Sequence, residues 1–209
     1  MSLGKLERRA VEISYKQKRS HLSSVLTTLP TIERIYEIRK KDEPFVLGNS
    51  HAALALWVVL EKHGLCNAEE MAERYGTHAE RDMEHGVWVS GGSLGQAETV
   101  AVGLALADRE TNVYLVTSDG ACAEGSVWEA LRIAAEQRLE NLRITVIANG
   151  YSALGPVDTD YLKHRLQSFF PTMVVTPNLF HLPEWLQGID GHYAVMNELM
   201  FKELMGKDK

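Results

Sequence analysis

Two short β-branched runs, ending in polar breaks thirty positions apart, constrain this chain more than any other feature. Val113-Tyr114-Leu115-Val116 leads into Thr117-Ser118-Asp119-Gly120, and Ile144-Thr145-Val146-Ile147 leads into Ala148-Asn149-Gly150. Short apolar runs of this kind are the pattern of parallel strands buried on both faces. The stretch between them accommodates one helix, so the three elements predict a βαβ unit. Asp119 and Asn149 then end neighbouring strands at the carboxyl edge of the sheet, where open α/β folds hold ligands. A carboxylate and an amide oxygen fixed there suit Mg²⁺, which takes one or two protein carboxylates and fills its shell with phosphate oxygens. Gly120 is expected to open the next helix and aim its first N–H groups at the anion.

The chain has 209 residues, 45% hydrophobic and 24% charged, which bounds it to one folded domain with a sizeable core. A net charge of −6 with no basic stripe argues against nucleic acid as a partner. Cys66 and Cys122 stand far apart with no Cys-x-x-Cys, as in a reduced, cytoplasmic protein. Lys5, Glu7, Arg8 and Arg9 make the start of the chain polar, and the longest apolar run, Ala52 to Leu60, is too short for a bilayer. Neither a signal segment nor a membrane span is expected.

Along the chain, helical spacing covers 5–28, and Pro30-Thr31 restarts a helix through Ile38. A short strand at 44–49, a helix from Ser50 to Lys62 and a helix capped by Asn67 follow. The glycine-rich loop Ser90-Gly91-Gly92-Ser93-Leu94-Gly95-Gln96 leads into a helix of small residues, 97–107. After the first βαβ unit come a loop at 151–156, a helix at about 160–169 and a strand at 173–175. The last fifteen residues predict an amphipathic helix through Val195, Leu199 and Leu204, and the helix after Gly120 is expected to bury Trp128, Leu131 and Ala135. The expected fold is α/β, a doubly wound and mostly parallel sheet with helices on both faces. Its expected divisions are a helical arm at 1–45, a core at 46–175 and an extension at 176–209.

A dinucleotide site would need Gly-x-Gly-x-x-Gly directly after a strand, whereas Gly91–Gly95 follows no clear strand. Thr117 to Gly125, the thirty-residue gap and Asn149-Gly150 instead resemble the thiamine diphosphate motif of transketolase-type enzymes. Ser90–Gln96 resembles that family's cofactor-ring loop, Asn49-Ser50-His51 its diphosphate-contacting histidine segment, and Ser20-His21-Leu22 its substrate-side histidine. The resemblance implies thiamine diphosphate and Mg²⁺ as cofactors. Asp119 and Asn149 would ligate the metal by side chain and Tyr151 by its carbonyl, with Asn149, His51 and the Gly120 amide at the diphosphate. Gly92, Ser93 and Leu94 would lie against the cofactor rings, and His21 and His78 would line the substrate funnel. Glu124 would hydrogen-bond the activating glutamate of a second domain; a first-turn acid complementing a helix dipole is its other reading. His63, His85, His164, His181 and His192 take no role.

The resemblance ends near residue 160, and the remaining fifty or so residues are too few for another doubly wound sheet. It therefore implies one component of a split transketolase-like enzyme, the diphosphate-binding subunit, that moves a two-carbon ketol unit between sugar-type substrates. A separate pyrimidine-domain subunit would be the partner, in a homodimer or heterotetramer. Two readings stand beside it: a 2-oxo acid decarboxylating subunit, against which His21, His51 and His78 argue, and a non-catalytic cofactor-binding or regulatory protein.

Overall fold

The two anchoring runs form the central strands of a four-stranded parallel sheet in the computed structural model, which describes residues 3–179 and 182–206. Residues 1–2, 180–181 and 207–209, with His181 and parts of the expected arm and extension, lie outside the described residues. The strands are β1 (Phe45–Leu47), β2 (Val113–Ser118), β3 (Leu142–Ile147) and β6 (Thr172–Val175), in the order β1-β2-β3-β6. Ser118 lies opposite Ile147, and the Asp119 N–H donates to the Ile147 carbonyl at 3.0 Å, so β2 and β3 end at the same level. A small hairpin, β4 (Tyr151–Ser152) with β5 (Gly155–Pro156), projects just past β3.

Side-chain alternation along the strands feeds two separate cores. Leu47, Val116 and Ile147 pack with residues from α1 (Lys5–Lys16), α2 (Leu22–Ile38), α3 (Ala53–Lys62) and α4 (Ala68–Tyr75). Val46, Leu115, Ile144 and Val146 join α5 (Gln96–Ala107), α6 (Gly125–Glu136) and α7 (Thr159–Phe169) on the other face. Fully buried Leu29, Ile32, Leu56 and Leu60 each contribute about 1.5–3 kcal/mol relative to exposure. The terminal segments belong to the first core. The short α8 (Gly188–Tyr193) packs on α2, α9 (Glu198–Met205) packs on α1, and Leu182, Leu186, Met196 and Leu204 are buried there. Among the described residues no helix is long and apolar enough to cross a membrane.

Four local expectations need correction. The break between the first two helices falls at Gln17–His21, where Lys18 and His21 take positive φ, while Pro30 lies inside α2. An interior proline removes a hydrogen bond and strains the helix. Burial of Leu26, Leu29 and Ile32 around it keeps the helix continuous. Gly120 opens only a 3-10 turn, Ala121–Ala123, and α6 begins at Gly125. Ala135 is exposed and Trp128 half-buried, the buried face of α6 being Val127, Ala130, Leu131 and Ala134. In α9 only Leu204 of the expected stripe is buried; Leu199 is 77% exposed and Val195 precedes the helix. Asn67 does cap α4, its Oδ1 accepting from Glu69 N at 3.0 Å and Glu70 N at 3.3 Å, worth about 1 kcal/mol.

Candidate active site

Asp119 is 2% exposed at the carboxyl end of β2. Its Oδ1 accepts from Gly120 N at 3.0 Å and its Oδ2 from Gly150 N at 2.7 Å, while Asn149 Oδ1 accepts from Tyr151 N at 3.0 Å. The two strand ends are thereby tied into one rim. Burial pushes the Asp119 carboxyl up to about 6 against the pull of these backbone donors, and no charged neighbour contributes. A buried carboxylate without a counter-charge is costly, and each carboxylate oxygen keeps a further lone pair. A divalent cation at this rim fits both observations. The Gly120 N–H donates to Asp119 Oδ1, and Gly120 precedes a 3-10 turn rather than α6, whose first turn starts at Gly125.

A wall of imidazoles comes from three distant segments. His21 sits in the left-handed region just before α2, a conformation held by its N–H donating to the His192 carbonyl at 2.9 Å. The His21 ring lies 4.4 Å from that of His192 and 5.4 Å from that of His51, and His51 and His192 are 5.2 Å apart. Ser20 Oγ lies 2.7 Å from His21 Nδ1, and Ser24 Oγ 3.3 Å from His192 Nδ1. Burial first, then repulsion among the rings, pushes His51 down to about 3 and His21 to about 4; burial alone lowers His192. These rings are neutral near pH 7, each with one N–H donor and one acceptor nitrogen. His78 is exposed and faces Gly92, where an added Cβ would lie 3.6 Å from its ring.

The glycine-rich loop lies between these parts. A Cβ on Gly91 would collide with Ser50, and one on Gly95 with Ser126 and Glu124; Gly92 and Gly95 also take φ of +112° and +80°. Ser126 Oγ donates to the Gly95 carbonyl at 3.0 Å, fastening the loop to α6. Ser93 is exposed and Leu94 half-buried. Beside the loop, Asn49 Oδ1 and Ser50 Oγ are buried without partners, polar atoms that a bound ligand would satisfy. Glu124 is exposed at the N-cap of α6 and makes no capping bond there.

His192 is the site residue that sequence reasoning missed. Its position depends on α8 lying against α2 and against β4, where a Cβ added to Gly188 would lie 3.8 Å from the Tyr151 ring. The segment thus joins the hairpin after β3 to the histidine wall. The local signal was Gly191 before His192, a glycine whose Cβ would clash with the Leu186 backbone. Glu98 was also missed: it is buried behind the loop, its Oε1 accepting from Thr117 Oγ1, and burial raises its pKa.

The family model of the transketolase thiamine diphosphate binding domain matches residues 27–169. This chain belongs to that family. It is 28% identical over 174 residues to an apulose-4-phosphate transketolase subunit of Phocaeicola vulgatus, covering 74% of this chain and 62% of that protein. To the 6-deoxy-6-sulfo-D-fructose transketolase subunit SqwG of a Clostridium species it is 32% identical over 163 residues, covering 70% and 54%. Transketolase from Leishmania mexicana superposes with a TM-score of 0.75 at 20% identity, over 97% of this chain and 40% of that one. The fold is therefore that of the transketolase cofactor domain, and this chain spans less than two thirds of either curated relative.

Proposed function

We propose that this chain is the diphosphate-binding subunit of a transketolase-like transferase that acts on sugar-type substrates and is active with a separate pyrimidine-domain partner. The observation that carries this is the buried Asp119 carboxylate beside Asn149, on which no basic side chain among the described residues acts, together with a wall of neutral histidines. When bound, thiamine diphosphate supplies the carbon centre that accepts and releases a two-carbon ketol unit. Asp119 and Asn149 would hold Mg²⁺ by side chain, with the Tyr151 carbonyl beside them, and the metal would carry the diphosphate charge. His51 offers a neutral N–H to a phosphate oxygen, and Gly92, Ser93 and Leu94 form the surface on which the rings rest. His21, with His192 against it and His78 at the outer side, has its Nδ1 engaged by Ser20 and would accept the proton of a substrate hydroxyl at Nε2.

Glu124 is exposed, so a partner's activating carboxyl can reach it. Relatives named as subunits support an assembly with a partner subunit, which we read as a heterotetramer, a homodimer being the alternative. Free Cys66 and Cys122 suit the cytoplasm. The decisive experiment is calorimetric titration of the chain with thiamine diphosphate, with Mg²⁺ and with EDTA. Saturable binding that requires the metal is the expected result. Metal-independent binding, or none in either condition, would sink the reading.

A further inference from the structure

On the face of the sheet shared with α2, a groove of about 1530 Å³ runs across β3 and the edge strand β6. It is centred on the starts of β3 and β6 and reaches the end of β6 at Val175. Its strand residues include Leu142 and Arg143 at the start of β3 and Thr172 and Met173 at the start of β6, whereas Asp119 and Asn149 follow strand ends. Two apolar side chains stand open on it, Ile38 at 54% and Met173 at 64% exposure. The α6 and α7 helices cover the opposite face of these strands.

Charge selects among occupants. Arg34, Arg138 and Arg143 line the groove against one acid, Glu140, on a chain of net charge −6. Arg34 reaches Glu37 at 3.3 Å in an exposed pair, and Arg138 and Arg143 make no ion pair among the described residues. A second copy docked groove to groove would set arginines against arginines, and like charges brought together oppose docking. The volume is that of a short helix: a cylinder about 10 Å across fills it over about 20 Å, or about 13 residues at 1.5 Å each. A helix laid beside α2 would also complete the missing layer over β3 and β6.

We infer that this groove docks an acidic amphipathic helix of a partner protein, its apolar stripe on Met173 and Ile38 and its carboxylates on Arg138 and Arg143. The test is a display selection of fourteen-residue helical peptides with randomised faces against the whole chain. Counter-selection uses Met173→Glu and, on the opposite wall, Ile38→Glu, each checked for native circular dichroism. Enriched peptides should carry apolar residues at helical spacing flanked by Asp or Glu. A synthesised winner should bind the Arg138→Glu/Arg143→Glu variant at least tenfold more weakly than wild type, with thiamine diphosphate binding unchanged. No enrichment over the blocked variants, winners without acids, or equal binding to the charge-reversed variant would overturn the inference. So would sedimentation showing a dimer that Met173→Glu dissociates, which would give the groove to a second copy.

Discussion

Asp119 ends β2 as a buried carboxylate, while His21, His51 and His192 converge from the start of α2, the turn before α3 and α8. Burial drives both groups toward their neutral forms, Asp119 up to about 6, His21 down to about 4 and His51 to about 3. The consequences differ. At the rim the neutral tendency records the lack of a basic neighbour; along the wall it removes the charge that imidazolium would have offered a phosphate. On the proposed reading, a divalent cation would supply the charge that neither region carries, and the histidines would supply oriented hydrogen bonds.

The largest test of that division removes the rim's acid. Asp119→Ala should weaken thiamine diphosphate binding in Mg²⁺ about a hundredfold, or about 2.7 kcal/mol, and abolish its dependence on the metal. Calorimetric affinities equal to wild type would show that the wall, not the rim, holds the anion.

Acid should act on the wall through stability. The unfolded chain binds a proton at His51 near 6.5, whereas the folded one resists until about 3. Stability is then unaffected well above 6.5 and is lost progressively as pH falls through the window from about 6.5 to about 3. Between pH 7 and pH 5 the His51 share is about 2 kcal/mol; half-buried His21 adds a smaller, solvent-screened share. Asp119, raised by burial, opposes this trend, so the informative quantity is the difference between wild type and His51→Asn. Urea unfolding at the two pH values should show a flatter dependence in the variant. Identical slopes would mean that His51 is solvated in the folded protein.

Within the wall, His51→Ala should weaken cofactor binding about tenfold, near 1.4 kcal/mol, while His63→Ala at the exposed end of α3 leaves it unchanged. Equal affinities of the two variants would remove His51 from the diphosphate.

The same contrast explains what was legible in the sequence. Asp119 and Asn149 belong to one βαβ unit, whose apolar runs and polar breaks are local patterns, and the glycine loop carried its own signature. His192 lies 168 residues from Ser24, and only the packing of α8 on α2 brings them together. Its role was therefore invisible to spacing. Pro30 misplaced a helix boundary because local backbone preference yielded to burial of Leu26, Leu29 and Ile32. Ala135 and Leu199 were misjudged for a related reason: apolar residues at helical spacing show that a buried face exists, not its angular position against the neighbouring elements.

The smallest effect concerns the coupling inside the wall. His192 depresses both His21 and His51 through its own charge, after burial, and His78 contributes less to each. His192→Asn keeps a polar side chain near Ser24 while removing that charge. At the observed ring spacing of 4.4 Å to His21, even water-like screening leaves about 0.9 kcal/mol between two protonated rings. The His21 midpoint should therefore rise by about half a unit or more, with His51 moving in the same direction. Two-dimensional NMR titration of the imidazole resonances measures both shifts, with exposed His63 as an internal reference. Unmoved midpoints in a variant of native fold would detach His192 from the wall, and with it the link from α8 to the active site. A rise at His21 and His51 with His63 constant would show that α8 helps set the protonation of these two histidines.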